Sequence, residues 1–325
     1  MKMLTRTAFE QARQHLFQQG RSLDRVRYRF HFESGPAGAV LDELARYQNP
    51  DGGFGHALEP DLRTPASSAI ATSVAFSVFR ELEVAATQPL AKRAVDFLLK
   101  TFDTDRRGWQ IVPPQVEDTP RAPWWTYADI DTTFGGCLLN PTASLVGALC
   151  DYAVLVPPAF LTEMISAVLE RVQSASAFSM DTFRCLLELA ETQSLPEWAR
   201  QQLRSKLLEA VPAAIEKDPA AWATYSLQPL DVIRSPRSFL ATAVDGAVVD
   251  ANLDYWIDQQ SADGSWPLSW TWAHVNEQAW RQAEQEWKGF VTVERLATLL
   301  AFGRVEGAGA ASGSPVSMMY PDRRR

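Results

Sequence analysis

The sequence is poor in the residues that bind metals or form cross-links. Its 325 residues include three cysteines and four histidines. The cysteines, Cys137, Cys150 and Cys185, are widely spaced and odd in number, which does not suggest a disulfide framework. None of them has the spacing of a zinc ligand, and no two histidines form a zinc-binding helix pair. We therefore expect no catalytic zinc.

Long apolar runs and basic stretches are also missing. No stretch of about 18 apolar residues is free of charged residues, so we expect no transmembrane helix. Residues 1–20 are polar and lack the apolar region and cleavage site of a signal peptide, which makes the cytoplasm the default location. The net charge is −8 without a basic stripe, so nucleic acid is a poor candidate partner. Phosphate-binding and dinucleotide-binding fingerprints are absent as well.

Helical periodicity dominates what is present. Apolar side chains recur at three- and four-residue spacing over residues 36–48, 90–102, 138–153 and 183–190. Proline, glycine and Asp-Gly breakers separate these segments, and no strand pattern with hairpin signals is convincing. The pattern predicts an all-α fold of about a dozen helices. The stretch from Gly307 to Pro315 is rich in Gly, Ala and Ser and predicts a flexible tail over 307–325.

One turn occurs twice in the chain. Gln48-Asn49-Pro50-Asp51-Gly52-Gly53-Phe54 matches Gln260-Ser261-Ala262-Asp263-Gly264-Ser265-Trp266, and each follows an amphipathic helix. Asp-Gly predicts a tight turn with a positive φ angle. The glutamine can bond the backbone of the turn, and the final aromatic side chain is expected to pack between neighbouring helices. Weaker copies end at Trp109, Phe178 and Trp222.

Tryptophan is unusually frequent. Of the eleven tryptophans, six lie between Trp256 and Trp287. Large cores and their rims account for most tryptophans in proteins, but an aromatic-lined pocket would give the same composition.

Two aspartates stand at a predicted junction between a loop and a helix, in the segment Asp129-Ile130-Asp131-Thr132-Thr133-Phe134. Aspartate and threonine there are typical of a helix N-cap. Alternatively, Asp129 and Asp131 act as a paired acid. Desolvation and a neighbouring carboxylate would both favour the protonated form of one carboxyl group.

These features resemble the class II terpene cyclases. The repeated turn is similar to the QW-type repeat of squalene–hopene cyclases and, more loosely, of prenyltransferase β-subunits. Asp129–Thr133 is similar to the DxDTT variant of their DxDD motif. The resemblance spans about Pro36 to Trp287 and implies one (α/α)6 toroid over residues 1–306, as in single-domain meroterpenoid cyclases. The Asp-rich motif of ionisation-type terpene synthases is absent.

The resemblance also implies the chemistry. Asp131 is the expected general acid that protonates a terminal alkene or epoxide of an isoprenoid or a prenylated aromatic acid. Asp129, Thr132 and Thr133 are expected to orient it. No cofactor is implied, and Mg²⁺ only if the substrate is a diphosphate. Aromatic faces stabilise carbocations, and the expected lining is Trp124, Trp125, Tyr127, Phe134, Trp222, Tyr225, Trp270 and Trp272.

A second charged cluster follows the first turn: His56, Glu59, Asp61 and Arg63. Glu59-Pro60-Asp61 is either a surface turn or part of a cavity mouth, where Arg63 would meet an acidic head group. His56 is either structural or a partner of the acid.

Two other functions remain open at this stage. A carbohydrate-active enzyme on the same fold would need a second acid such as Glu59 or Asp61, because carboxylates two residues apart lie too close for that reaction. A non-catalytic toroid that binds isoprenoid or lipid would keep the cavity alone. Peripheral contact with a membrane, and the oligomeric state, are left undecided.

Overall fold

The computed structural model describes residues 1–130 and 139–307 and is mainly helical. The described residues contain twelve α-helices, as the periodicity predicted, and short 3₁₀ turns. The helices are α1 Arg6–Gln19, α2 Ser22–Phe32, α3 Ala37–Leu44, α4 Ala69–Glu81, α5 Pro89–Thr101, α6 Leu139–Asp151, α7 Pro158–Ser174, α8 Met180–Glu191, α9 Glu197–Ala214, α10 Pro229–Val232, α11 Gly246–Asp258 and α12 Glu277–Ala301. One short antiparallel pair, β1 Phe102–Asp103 and β2 Gly108–Trp109, was not expected from the sequence.

Side-chain caps and prolines fix where several helices begin. Ser68 caps α4, Ser179 caps α8 and Asn276 caps α12, each by accepting a backbone N–H in the first turn. Pro89 and Pro158 stand at the first position of α5 and α7, where a missing N–H costs nothing. None of the helices in residues 1–130 and 139–307 combines the length and hydropathy needed to cross a lipid bilayer.

The chain divides into two compact units. Unit 1 joins Met1–Arg46 to the chain from Ile215 onward, and unit 2 is Tyr47–Ala214. In unit 1, α1 and α2 pack on α12, and α3 packs on α2. The expectation of a single domain over 1–306 stays a prediction.

Unit 2 is built around α6. This helix packs on α4, α7 and α8, while α5 packs on α4, and α9 on α7 and α8. Every residue of α6 from Leu139 to Cys150 is buried. A helix that is apolar and buried on all sides belongs to the interior, with its neighbours presenting one apolar face to it.

The first repeat turn docks on the N-terminal part of α5. Gln48 Nε2 donates to the carbonyl oxygens of Gly52 and Leu90, each at 2.9 Å. Asp51 accepts the Gly53 N–H at 2.9 Å. Gly52 has a φ of +95°, and a Cβ there would lie 2.2 Å from the carbonyl oxygen of Arg93.

The second repeat turn docks on α1 in the same way. Gln260 Nε2 donates to the carbonyl oxygens of Gly264 at 3.0 Å and Ala8 at 2.9 Å. Asp263 accepts the Ser265 N–H at 2.9 Å. Gly264 has a φ of +87°, and a Cβ there would lie 2.2 Å from the carbonyl oxygen of Gln11. The predicted roles of the turn's glutamine and glycine are therefore confirmed in both copies.

The aromatic residues that end the copies are mostly anchors. Phe54 and Trp266 are fully buried, and the Trp266 indole donates to the carbonyl oxygen of Trp256 in the preceding helix at 2.6 Å. Trp109 and Trp222 likewise donate to carbonyl oxygens, of Leu98 and Glu216, each at 2.8 Å. Phe178 is only half-buried, so the third copy lacks this anchor.

Candidate functional site

The chain after the first turn forms a loop closed at its neck. The backbone N–H of Ser68 donates to the carbonyl oxygen of Phe54, and that of His56 donates to the carbonyl oxygen of Thr64, each at 3.0 Å. The two ends approach so closely that a Cβ at Gly55 would lie 2.3 Å from the carbonyl oxygen of Ala66. Glycine is therefore required at the neck, and residues 56–64 form one ordered loop, which we call the acidic loop.

The interior of the acidic loop is buried. All residues from 57 to 62 are buried, and Glu59 and Asp61 are only 6% and 2% exposed. The interpretation of Glu59-Pro60-Asp61 as a surface turn was therefore wrong. Turn-forming residues indicate that the chain changes direction, but they do not show whether the turn lies at the surface or in the interior of the protein.

The acidic loop pairs with the chain that precedes the aspartate motif. Ala122 N–H donates to the carbonyl oxygen of Asp61 at 2.9 Å, and Arg63 N–H to that of Pro120 at 3.2 Å. Leu62 and Arg121 form the antiparallel bridge between them. Beyond this bridge, the 3₁₀ turns Pro123–Trp125 and Tyr127–Asp129 lead to the buried Ile130.

Glu59 has a strongly perturbed carboxyl group. Burial raises the pKa of Glu59 well above its ordinary value, and the negative charge of Asp61 raises this pKa further. The Trp125 side chain and the backbone N–H groups of Asp61 and Leu62 only partly offset this rise. Oε2 of Glu59 is buried, and no donor in the described part of the chain bonds it with hydrogen-bond geometry. The loop thus holds a carboxyl group whose proton is hard to remove.

His56 lies at the exposed neck. Its Nε2 is 2.9 Å from Oδ1 of Asn49 in the repeat turn. His56 and Ala57 both have positive φ angles, 55° and 59°, which side-chain-bearing residues rarely adopt. The tightness of the neck explains why the backbone turns this way. Arg63 is half-buried, and its Nη1 donates to the carbonyl oxygen of Pro60 at 3.2 Å.

The expected aromatic residues of unit 2 lie beside this loop. Trp125 is buried against Glu59, while Trp124 and Tyr127 are half-buried. Tyr127 is held by its backbone N–H, which donates to Oε1 of Glu117 at 2.6 Å. The same glutamate pairs with Arg121. Neither Glu117 nor Arg121 was expected as a positioning residue, because a Glu-x-x-x-Arg pair in a loop has no distinctive pattern.

The expected aromatic residues of unit 1 differ in exposure. Trp222 and Trp272 are 1% and 0% exposed and leave no surface for a ligand. Tyr225 is 54% exposed and lies 6.1 Å from the half-buried Trp270, measured between ring centroids. Trp287 continues the series 5.4 Å from Trp270. An aromatic ligand surface in this unit would therefore be formed by Tyr225, Trp270 and Trp287.

The aspartate motif itself is described only in part. Asp131, Thr132, Thr133 and Phe134 lie outside the described residues, and their assignment as acid, orienting groups and lining stays a prediction. The chain is described again from Leu139, where α6 begins with the buried polar residues Asn140, Thr142 and Ser144. Oδ1 of Asn140 accepts the thiol of Cys185 at 3.5 Å.

The described residues hold no cluster of three or more His, Cys, Asp or Glu suited to a metal ion, although this does not test the expectation of metal-independent chemistry. No protein-family model matches the chain, and a search of curated proteins finds no match either.

Proposed function

We propose that this protein is an acid-initiated terpene cyclase of the class II type, built as an (α/α)6 toroid. Two observations support this fold. The same turn docks in the same way on two different helices, as expected for a repeated α/α hairpin. In unit 2, a row of buried helices, α4, α6 and α8, is covered by α5, α7 and α9.

The observation that carries the functional proposal is the pairing of the acidic loop with Pro120–Ala122. It places two buried carboxyl groups and the Trp125 indole beside the segment that runs into Asp129 and Asp131. Protonation of an alkene requires a carboxylic acid that stays neutral near pH 7, and burial among carboxyl groups favours that state. Glu59, in the loop that pairs with the chain before the motif, meets this requirement.

In the proposed reaction, Asp131 gives its proton to the terminal carbon of an alkene. The O–H bond breaks, the π electrons form a C–H bond, and positive charge develops on the adjacent carbon. An epoxide would instead take the proton on oxygen. Further double bonds attack the cation and close rings, and the last cation returns a proton to a base. The product is an isomer of the substrate, so the reaction needs no redox partner.

The described residues fit the demands of such a cation. The faces of Trp124, Trp125 and Tyr127 can each contribute roughly 1–2 kcal/mol of cation–π attraction where water is excluded. Arg63 and His56, at the neck of the loop, suit an acidic head group. We propose an isoprenoid or a prenylated aromatic acid as substrate, Mg²⁺ only if it is a diphosphate, and action in the cytoplasm.

Product analysis by mass spectrometry tests the proposal. Wild type and Asp131→Asn would be incubated with farnesyl diphosphate, geranylgeranyl diphosphate, squalene and a farnesylated dihydroxybenzoate. We expect a cyclised product of unchanged mass from wild type and at least a 100-fold loss of rate in Asp131→Asn, since general-acid catalysis typically contributes about 10²–10⁴-fold. The matched control is Asp118→Asn, which changes an exposed aspartate of the neighbouring 3₁₀ turn and should keep wild-type turnover.

Turnover that survives in Asp131→Asn would reject Asp131 as the acid and keep the cyclase. Binding of an isoprenoid without turnover would favour a non-catalytic toroid.

A carbohydrate-active enzyme is the second candidate. The buried Glu59 favours it, because glycoside hydrolysis also needs a carboxylic acid of raised pKa. The exposed Tyr225 and Trp270 offer the aromatic faces on which sugar rings stack. Release of reducing sugar from an oligosaccharide, lost in Glu59→Gln, would favour this reaction over cyclisation.

A further inference from the structure

One oxygen of Glu59 has an unusual environment. Oε2 is enclosed, and no donor in the described residues bonds it with hydrogen-bond geometry. A carboxylate oxygen buried in this way loses the stabilisation of water without replacement, which disfavours the charged form. A protonated oxygen carries no such charge. The geometry therefore favours the neutral acid.

The neighbouring charge of Asp61 also favours the neutral acid, and the nearby cationic side chains bond other groups. On its own loop the nearest acid is Asp61, which repels a second negative charge. His56 lies at the exposed neck and bonds Asn49. On the facing segment, Arg121 pairs with Glu117 and donates to the carbonyl oxygen of Val116, contacts that lie within its own segment.

The acidic loop also contains groups that favour the negative charge of Glu59 once its proton has left. The backbone N–H groups of Asp61 and Leu62 and the Trp125 side chain all act to lower the pKa of Glu59, so they favour its charged form. Donors of this kind stabilise a carboxylate once the proton has left.

We infer that Glu59 is a carboxylic acid that remains protonated in the folded protein and serves as a proton store for the site beside it. The inference rests on the proposed function for its use, but the protonation itself does not. In use, the O–H bond at Oε2 breaks and the proton passes to the carboxylate of the general acid, which has given its own proton to the alkene. The negative charge stays on Glu59, and the proton that the last cation releases restores the acid.

Infrared difference spectroscopy near pH 7 tests the protonation without any substrate. The spectrum of wild type minus Glu59→Gln should contain the C=O stretch of a protonated carboxyl group. Asp96→Asn is the matched control, because Asp96 is an exposed carboxylate on α5 of the same unit; its difference spectrum should contain carboxylate bands only. A wild-type minus Glu59→Gln spectrum with carboxylate bands alone would overturn the inference.

The pH dependence of stability gives a second measurement. Below the ordinary value of 4.5, Glu59 is protonated in the folded and the unfolded chain alike. As the pH rises above 4.5 the unfolded chain loses this proton while the folded chain keeps it, so folding becomes less favourable up to the raised pKa. Glutamine cannot ionise. The midpoint denaturant concentration of wild type should therefore fall relative to Glu59→Gln as the pH rises, and parallel curves would contradict the inference.

Three further results keep the test decisive. If Glu59→Gln does not fold, carboxyl ¹³C resonances of glutamate-labelled wild type replace it, and a glutamate that titrates well above the others is required. If no substrate is turned over but the protonated band is present, the cyclase proposal fails and the proton store stands. If turnover is lost in Asp131→Asn but the Glu59 band is absent, the reverse holds.

Discussion

The two repeat turns are built alike but lead into different loops. Gln48 and Gln260 make equivalent pairs of hydrogen bonds, and a Cβ added at either turn glycine would lie 2.2 Å from a helix carbonyl oxygen. After Phe54, the chain enters a buried loop with two acids. After Trp266, residues 267–276 are largely exposed or half-buried. The turn belongs to the fold, and the loop that follows it is where the two units differ.

The difference begins at the second residue of the turn. Asn49 donates to the carbonyl oxygen of Pro65 and the hydroxyl of Ser67, and the Ser67 hydroxyl donates to Asp51 at 2.8 Å. At the equivalent position the second turn has Ser261. The amide of Asn49 thus connects a structural turn to a loop with a buried acid, and this connection is specific to unit 2.

Alanine at either turn glycine should produce the largest effect. Gly52→Ala and Gly264→Ala each combine a positive φ with a Cβ 2.2 Å from a helix carbonyl oxygen. We expect each to lower the free energy of unfolding by about 3 kcal/mol or more. Chemical denaturation measures this loss in the free energy of unfolding. Equal losses at the two sites would support the equivalence of the turns.

Gly246→Ala is the control, because a Cβ there meets nothing within 4 Å and Gly246 is the first residue of α11. It should be neutral or slightly stabilising. A loss at Gly246 as large as at the turns would mean that the measurement reports glycine replacement in general.

Removing one serine hydroxyl from each turn region should lower stability in both variants but should affect the acidic loop and turnover in only one of them. Ser67→Ala and Ser265→Ala both delete a hydroxyl that donates to the turn aspartate, at 2.8 Å and 2.7 Å. Each should cost about 1 kcal/mol, the usual value of one hydrogen bond. Only Ser67→Ala should also speed hydrogen exchange in residues 56–64 and lower turnover, because only Ser67 ties the turn to the acidic loop.

Equal exchange rates in residues 56–64 for the two serine variants would contradict this assignment. A loss of turnover in Ser265→Ala at unchanged loop exchange would point instead to a catalytic part for the second turn.

Local patterns in the sequence were sufficient for the helices and for the turns. The apolar periodicity predicts α5 and α8, and the Asp-Gly pair predicts the positive φ angles of Gly52 and Gly264, since both depend on neighbours along the chain. Trp222 and Trp272 show the limit of this reasoning. An aromatic residue of the core and one that lines a pocket have the same local sequence, and only packing distinguishes them.

The candidate site was predicted by residue type but not by environment. Glu59 and Asp61 were recognised as a charged cluster, yet their burial depends on pairing with Pro120–Ala122, some sixty residues away along the chain. No spacing within residues 56–64 encodes that partner. The positive φ angles of His56 and Ala57 were unpredictable for the same reason, because they follow from closure of the neck.

A histidine beside the second turn should give the smallest effect. If the helix positions are matched through the glutamine bonds, His15 of α1 corresponds to Phe97 of α5. His15 is buried, and its Nδ1 lies 3.5 Å from Oδ2 of Asp263. Burial lowers the pKa of His15 below 6.5, although the Asp263 carboxylate opposes this and Lys288 adds to it.

As the pH falls through 6.5, the unfolded chain therefore binds a proton that the folded chain resists, and wild type loses stability. His15→Phe would make the second turn resemble the first and should remove this part of the loss, which thermal unfolding between pH 7.5 and 5 can measure. Phe97→His is the reciprocal variant and should introduce an acid-dependent loss at the first turn. If the pH profile of His15→Phe runs parallel to that of wild type, the histidine does not distinguish the two turns, and their difference is confined to the loops that follow them.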